Sequence, residues 1–362
     1  MPASTPLRVA LLTPRFWPEV RRGTERYVHD LARGLIALGH RPLVVTTAPR
    51  PGRGVEEGVP VLRLPRAPER PLLRAGRDPH ALRQPAMRVA LARLRPDVAH
   101  AFDLGEALAA TAWARRSDGA AVYTHMGIPD AADLALRPGR LRRTLRIADG
   151  AAVLTLSAAA AAAYRASTGR DARAIAPGVD LARFPLGTER TPQPTVVCAA
   201  DAREQRKRVA LLVDAWPRVR EAHPQARLLL DRRSAGTFAA APGVELADLD
   251  DTAELATRTG RAWAAVLPSE HEAFGLVLLE ALATGTPVVA AEGELVDRPG
   301  IGRRFHGGAG ELAEAILAVL ALAGDPTTRG ACRARAEELR LERTVAAHAE
   351  LYTQLVYSRK RR

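Results

Sequence analysis

The residues best placed to do chemistry are two glutamates, Glu272 and Glu280, in the run Ser269-Glu270-His271-Glu272-Ala273-Phe274-Gly275-Leu276-Val277-Leu278-Leu279-Glu280-Ala281. An apolar run from Ala262 to Leu267 precedes it, and Gly285-Thr286-Pro287-Val288-Val289 follows. That order reads as strand, loop, helix, turn, strand. Pro268 and Ser269 close the first strand, Gly275 marks the corner into the helix, and Leu276, Leu279, Leu282 and Ala283 recur at helical spacing. Glu272 then falls in the loop, and Glu280 lies about 7 to 8 Å along the helix at about 1.5 Å per residue from Gly275. Between them is a helix N-terminus, whose free N–H groups and positive dipole end suit a phosphate. The spacing fits a nucleotide sugar: diphosphate on the amides of Phe274, Gly275 and Leu276, one carboxylate for sugar hydroxyls, the other for a ribose. Without further context the same pair reads as a solvated loop residue and a polar residue on an amphipathic helix.

A cationic stretch supplies that context. Asp201-Ala202-Arg203-Glu204-Gln205-Arg206-Lys207-Arg208 precedes a helix carrying Leu211, Leu212, Ala215 and Trp216. Positive side chains are unfavourable at a helix start, so four of them there call for an anion nearby. Earlier, Tyr123-Thr124-His125-Met126-Gly127 leaves a histidine at a strand end, where ligands of parallel sheets bind. Taken alone, a single histidine of this kind is more often structural.

The Glu272-x-Phe274-Gly275-Leu276 run with Glu280-Ala281 and Gly285-Thr286-Pro287 resembles the Glu-x7-Glu donor motif of retaining glycosyltransferases of family 4. Arg203 and Lys207 resemble the Arg-x-x-x-Lys diphosphate clamp of that family, with Ala202 in place of its glycine; Arg206 and Arg208 flank them. Arg22-Gly23-Thr24-Glu25-Arg26 is similar to the Gly-Gly-x-Glu-Arg loop, with Arg22 replacing the first glycine, and makes Gly23 a donor-contacting residue. His125 resembles the His-Gly element, Met126 being inserted. Pro177-Gly178-Val179-Asp180 with Phe184 is similar to the signature before the interdomain linker. Two elements depart from the family: Asp231-Arg232-Arg233 replaces a Gly-rich turn, and Glu292 to Asp297 replaces a Gly-Gly-x-x-Glu turn.

The resemblance implies the GT-B fold, two Rossmann-like doubly wound domains facing each other across a cleft. It implies transfer of a sugar from a nucleoside diphosphate to an acceptor hydroxyl, with retention, Glu272 and His125 at the chemistry. Donor contacts come from Arg203, Lys207, Phe274, Gly275, Leu276, Glu280 and Gly23. Fixed cations replace a divalent metal, no cofactor is expected, and Asp248-Leu249-Asp250 reads as a solvated loop near the nucleobase. The alternative is an isomerase of the nucleotide-sugar 2-epimerase type, which shares the architecture and needs no acceptor.

The elements needed to hold these residues are legible as well. Leu7 to Leu12 reads as a buried parallel strand, Thr24 as the N-cap of a helix burying Tyr27, Val28, Leu31, Leu35 and Leu38, and Pro42 to Thr47 as the next strand. No G-x-G-x-x-G follows the first strand, which disfavours a nicotinamide cofactor. Strands are expected at 59–64, 97–101, 120–124 and 151–156, with Ser157 capping an Ala-rich helix, and then at 195–200, 227–230, 244–251 and 288–289. Helices close the chain at 311–322, 328–339 and 344–357. Repeated strand-helix order predicts doubly wound sheets. The domains divide as 1–184, a Pro- and Gly-bearing linker at 185–194, a donor domain at 195–340, and a last helix at 341–362 that returns to the first domain.

Composition bounds the rest. The chain has 362 residues, enough for two cores, and a net charge of +13. Lys207 and Lys360 are its only lysines, so the cationic excess is almost wholly arginine and follows composition as much as a polyanion partner. Aromatic content of 4% leaves no stripe of the stacking residues that a nucleic-acid binder would need, so that reading ranks last. Cys198 and Cys332 are too few for a disulfide framework. With no long apolar run and no signal-like leader, the sequence predicts a cytoplasmic protein. Arg83, Arg88, Arg93 and Arg95, interleaved with Leu82, Met87, Leu91 and Leu94, and the run Arg137 to Arg146 allow peripheral docking on anionic lipid. Solvated helix faces are the plainer reading of both. Nucleobase, sugar, acceptor and oligomeric state are not legible.

Overall fold

A computed structural model describes residues 5–66, 79–233, 235–296 and 298–361. Met1 to Ser4, Asp297 and the Leu82 side chain, all used in the sequence reading, lie outside it. The chain forms two compact units, residues 1–176 with 342–362, and residues 177–341.

In the first unit the elements run β1 (Arg8–Leu12), α1 (Gly23–Ala37), β2 (Arg41–Ala48), β3 (Gly52–Glu56), β4 (Val59–Pro65), α2 (Pro79–Leu94), β5 (Val98–Ala101) and α3 (Leu104–Ala114). They continue as β6 (Ala120–His125), α4 (Ala131–Leu136), α5 (Pro138–Ala148), β7 (Ala152–Thr155), α6 (Ala158–Thr168) and β8 (Arg173–Ala174). The sheet order is β3-β4-β2-β1-β5-β6-β7-β8. All pairs are parallel except the β3–β4 hairpin. On one face of the sheet Ala10 and Leu12 of β1, Ala99 and Ala101 of β5, and Val45 of β2 join one core with Met87 and Leu91 of α2.

The second unit holds β9 (Thr195–Cys198), α7 (Val209–Ala222), β10 (Arg227–Asp231), β11 (Val244–Ala247), α8 (Thr252–Arg261), β12 (Ala264–Leu267), α9 (Leu276–Ala283), β13 (Val288–Ala290), β14 (Gly302–Arg304), α10 (Ala309–Ala323) and α11 (Pro326–Glu338). Its six strands are parallel, in the order β11-β10-β9-β12-β13-β14. The switch between β9 and β12 sends neighbouring connections to opposite sides and opens a crevice at the carboxyl ends of those two strands.

The last helix, α12 (Leu341–Lys360), packs into the first unit. Its buried residues meet two polar side chains of that unit's core. The Tyr27 hydroxyl donates to Nε2 of His348 at 3.2 Å, because Nδ1 of His348 is committed to the Thr344 carbonyl at 2.8 Å. Nδ1 of His100 lies 2.6 Å from the Tyr352 hydroxyl, and its Nε2 lies 2.7 Å from Oγ1 of Thr124. Burial, helped by the neighbouring His348, pushes His100 well below its usual value, and burial pushes His348 down to about 4. Both rings are neutral at pH 7.

Several sequence expectations change. Helix α1 starts earlier, at Gly23, with Arg22 rather than Thr24 at the N-cap, and Leu38 is half-exposed beyond its end instead of buried. Hairpin strand β3 was not anticipated, since its GRGVE sequence is glycine-rich and largely exposed. The stretch 185–194 is not a free linker, and the break between units falls at Ala176–Pro177. Its arginine and glycine are bound across the second unit: Arg190 donates to the carbonyls of Ala323 at 2.9 Å and Ala262 at 2.6 Å, and the Gly187 amide donates to Thr284 at 3.0 Å. From α11, Arg329 donates to Gly187 O at 2.9 Å, and Arg333 to Phe184 O at 3.0 Å and Ala283 O at 2.9 Å. Proline and glycine predict a break in regular structure but not a lack of tertiary partners.

The chain enters and leaves the second unit side by side. Val179 N–H donates to Leu339 O at 2.9 Å, and Leu341 N–H to Val179 O at 3.0 Å. Gly178 permits this approach, because a Cβ there would lie 2.5 Å from Cα of Leu341 and 2.8 Å from the Arg340 carbonyl oxygen. Backbone cannot swing aside as a side chain can. Gly178→Ala is therefore expected to destabilise the protein by about 2 kcal/mol, within the range for overpacking. Urea denaturation checks this, and an unchanged midpoint would rule out the close packing as a constraint.

Candidate active site

Two loops meet at the carboxyl ends of β9 and β12. The first follows β9 and ends in a 3₁₀ turn, Gln205–Lys207, with Arg208 at φ +49 before α7. The second runs from Pro268 to Gly275. They are stitched together: Glu270 N–H donates to Arg206 O at 2.9 Å, and Arg208 donates to Pro268 O at 2.7 Å and pairs with Glu270 at 2.8 Å. Arg208 also lies over the Phe305 ring, 5.4 Å from its centroid. Within this frame Nζ of Lys207 reaches Oε2 of Glu272 at 2.7 Å, and Nη1 of Arg206 comes to 3.7 Å from the same oxygen. The side chains of Lys207 and Glu272 are each 17% exposed, so the pair is sheltered yet reachable.

Helix α9 begins beside this pair. Gly275 sits at φ +86, a conformation that costs little only without a Cβ, and its carbonyl accepts from Leu278 at 2.9 Å and Leu279 at 3.2 Å. No side chain caps the helix. The positive end of the dipole and the amides of the first turn are chemically suited to an anion. His271, at φ +54, is strained for a non-glycine residue in the same loop. The Ser269 hydroxyl there is buried without a hydrogen-bond partner. Phe274 is buried beneath the loop, and Glu280 is buried in α9, so it is not a solvated residue on an amphipathic face.

Arg203 lies elsewhere. Its guanidinium grips its own neighbour Asp201 through bonds of 2.9 and 3.0 Å, and it is largely exposed. Arg206, less prominent in the sequence reading, is the arginine placed at Glu272. The 3₁₀ turn Gln205–Lys207 carries Arg206 and Lys207 together, whereas Arg203 precedes it. Near the expected nucleobase region, Asp248 pairs with Arg232 and Arg233 at 3.2 Å each, and Asp250 with Arg233 at 3.0 Å. Those carboxylates are ion-paired instead of merely solvated. Another residue missed from sequence is Glu292, whose Oε2 accepts the backbone N–H of Glu272 at 3.2 Å. It lies in a turn recognised only as a departure from the family pattern.

In the first unit, His125 ends β6 and is half-buried, its Nδ1 3.2 Å from the Tyr123 hydroxyl and its ring edge-on to Tyr164. Burial and the charge of Arg140 hold it down to about 4, so the ring stays neutral across physiological pH. Gly23 opens α1 after the loop from Thr13 to Arg22. That loop is anchored by Trp17, stacked on the buried His29 with centroids 3.9 Å apart, and by Thr47, which donates to Pro14 O at 2.8 Å. Of the stripe offered for lipid docking, Met87 and Leu91 are core residues and Arg83 pairs with Asp103 at 3.0 Å and Glu106 at 2.9 Å, while Arg88, Arg93 and Arg95 are exposed. Burial of Glu106, with Asp103 close by, lifts its carboxyl to about 7.

The uncapped N-terminus of α9 and the Lys207–Glu272 pair stand at a topological switch point of a parallel sheet, on a GT-B fold. Comparison with known proteins agrees. The model for Glycosyltransferase Family 4 matches residues 21–183, and that for Glycosyl transferases group 1 matches residues 193–322. The chain is 30% identical to a glycogen synthase of Mycobacterium tuberculosis, with 79% of this chain and 78% of the relative covered. It is 34% identical to a phosphatidyl-myo-inositol mannosyltransferase of Propionibacterium freudenreichii over 53% of this chain and 50% of that one. The sucrose-phosphate synthase structure from Thermosynechococcus elongatus superposes with a TM-score of 0.81 at 22% identity, covering 97% of this chain and all of that one. Anabaena HepE in complex with UDP and glucose gives 0.72 at 18%, covering 96% and 100%. The chain belongs to glycosyltransferase family 4, and it is a GT-B glycosyltransferase.

Proposed function

We propose that the protein moves a sugar from a nucleoside diphosphate to an acceptor hydroxyl with retention of anomeric configuration. The observation that carries this is the 2.7 Å Lys207–Glu272 pair at the open N-terminus of α9. The diphosphate takes Lys207, Arg206 and the first amides of α9, near Phe274, Gly275 and Leu276. Arg203 must leave Asp201 to join them. Charge growing on the leaving phosphate is stabilised by these fixed donors, the role a divalent ion fills in other phosphate sites. Glu272 holds the sugar hydroxyls and Glu280 the ribose. The departing phosphate accepts the acceptor's proton, so no side chain acts as nucleophile. In the first unit, neutral His125 and the backbone at Gly23 are assigned to sugar and acceptor contacts.

The acceptor is a glycan, a lipid or a small molecule. A lipid acceptor would be met by α5, where Arg142 and Arg146 are exposed, and by Leu136 at the end of α4, itself 83% exposed. No helix among the described residues is long and apolar enough to cross a membrane. We place the protein in the cytoplasm, which suits its two thiols: Cys198 and Cys332 are free and buried, and burial pushes them up to about 11 and about 12.

Thermal-shift measurements with UDP, GDP and ADP test the reading. One diphosphate is expected to raise the melting temperature by several degrees at a hundredfold excess over its Kd, and Lys207→Ala to remove most of that rise. No shift with any of the three would sink it.

A further inference from the structure

A groove lies in the first unit at the end of the sheet away from His125. Arg8 opens β1, Asp97 and Gly119 directly precede β5 and β6, and all three line the groove. Six steps along β6 at about 3.3 Å each put Gly119 about 20 Å from His125. The groove encloses about 1030 Å³, room for a small organic molecule. Its floor is apolar: Trp113 of α3 and Val356 of α12 are each 8% exposed, and Ala92 and Val89 of α2 line the same space in the open.

The rim is cationic. Arg8, Arg88, Arg95, Arg116 and Lys360 line it with only two carboxylates, Asp97 and Asp118, a surplus of three positive charges. Asp97 is taken by Arg8 at 3.1 Å, whereas no described carboxylate lies within ion-pair distance of the exposed Arg88, Arg95 or Arg116. The carboxyl ends of α2, α3 and α12 also reach the groove, and a helix end carries about half a negative charge. Together they offset about half of the surplus. Arg359 already serves the α3 end, donating to Ala114 O at 2.8 Å and Ser117 O at 3.3 Å, so the rim cations are not needed there. Arg95 stands at φ +45, where glycine would be unstrained, so a charged side chain is kept at a position that the backbone alone would give up.

We propose that this groove binds a soluble organic anion, a phosphate or carboxylate head on an apolar chain, at a site separate from the donor and acceptor contacts. The head takes the unpaired cations of the rim, and the chain lies over Val89, Ala92, Trp113 and Val356. A flat bilayer would meet the rim and miss the recessed floor, so the occupant is a single molecule.

Calorimetry on the full chain tests this with decyl phosphate below its micelle concentration, decyl maltoside, inorganic phosphate and phosphatidylglycerol vesicles. Decyl phosphate is expected to bind at least about tenfold more tightly than the maltoside, the difference that one charge-assisted contact supplies. Inorganic phosphate is expected to bind at least about a hundredfold more weakly, since each buried methylene is worth about fourfold. Arg88→Glu combined with Arg95→Glu should weaken decyl phosphate at least about tenfold and leave the thermal response to UDP, GDP and ADP as in wild type. No heat with decyl phosphate overturns the proposal, as does equal affinity for the maltoside, tight binding of phosphate alone, or full affinity in the double variant. Binding of the vesicles without the monomeric chain also overturns it, and would make this face a membrane contact.

Discussion

Glu272→Gln is expected to bind the nucleoside diphosphate more tightly than wild type while transferring sugar at least about a hundredfold more slowly. The two effects have one origin. In the free protein Lys207 is neutralised by Glu272 at 2.7 Å, with Arg206 also close, so an incoming phosphate must compete with an internal anion. A charge-assisted hydrogen bond of this kind is worth about 1.5 to 3 kcal/mol. Glutamine keeps the size of the side chain but gives up the charge, and recovering about 1 to 1.4 kcal/mol of that competition tightens the diphosphate roughly fivefold to tenfold. On the proposed function the rate falls because Glu272 is the group assigned to the sugar hydroxyls, and small misplacements of a reacting centre cost about a hundredfold. Calorimetry with the bare diphosphate and initial rates of sugar transfer separate the two. An unaltered diphosphate affinity would show that Glu272 does not hold Lys207 in check.

Acid is expected to unfold the first unit well before carboxylate titration alone would do so. His348 is buried and held at about 4, and His100 is held well below its usual value. An unfolded chain returns each ring to about 6.5. The sign follows: above that value both states carry neutral imidazole and stability is complete. As pH falls from about 6.5 towards 4, the unfolded state takes up protons that the folded state refuses, and stability is lost. For His348 alone the loss is about 3 kcal/mol, and His100 adds to it in the same direction. The loss should concentrate in the packing of α12 on Tyr27, Thr124 and the sheet. Urea midpoints from pH 7.5 to 4.5 check this, with His348→Gln expected to flatten the slope even though it weakens the fold at neutral pH. A slope identical in the variant would remove His348 from the account.

Much of the donor loop was legible because each signal was local. Leu276, Leu279, Leu282 and Ala283 repeat at helical spacing, Gly275 marks the left-handed corner, and both appear in α9 as read. The parallel strands were legible for the same reason, as short apolar runs bounded by breakers. What escaped depends on partners distant in sequence. Arg203 and Arg206 are chemically alike, and of the two only Arg206 lies in the 3₁₀ turn with Lys207. Glu292 meets the Glu272 amide across 20 positions, in a turn with no helix or strand pattern. Residues 185–194 look like a tether by composition, yet Arg190, Arg329 and Arg333 fasten that stretch through backbone carbonyls that any residue could present. Met87 and Leu91 mislead in the opposite way, since apolar and basic residues in alternation suit a lipid face as well as a helix lying on a core.

The side-by-side passages at Val179 and Leu341 make the second unit an insertion within the first. During synthesis, residues 177–341 emerge as one uninterrupted piece and have every strand they need. The first unit, though made earlier, lacks α12 until translation has passed Leu341. Until then Tyr27 and His100 have no His348 or Tyr352 to meet, and a hydrophobic slot stays open to solvent. The nascent chain therefore completes its parts in reverse order, second unit before first. A ribosome stalled after residue 341 would present a completed second unit joined to a first unit that still lacks its closing helix.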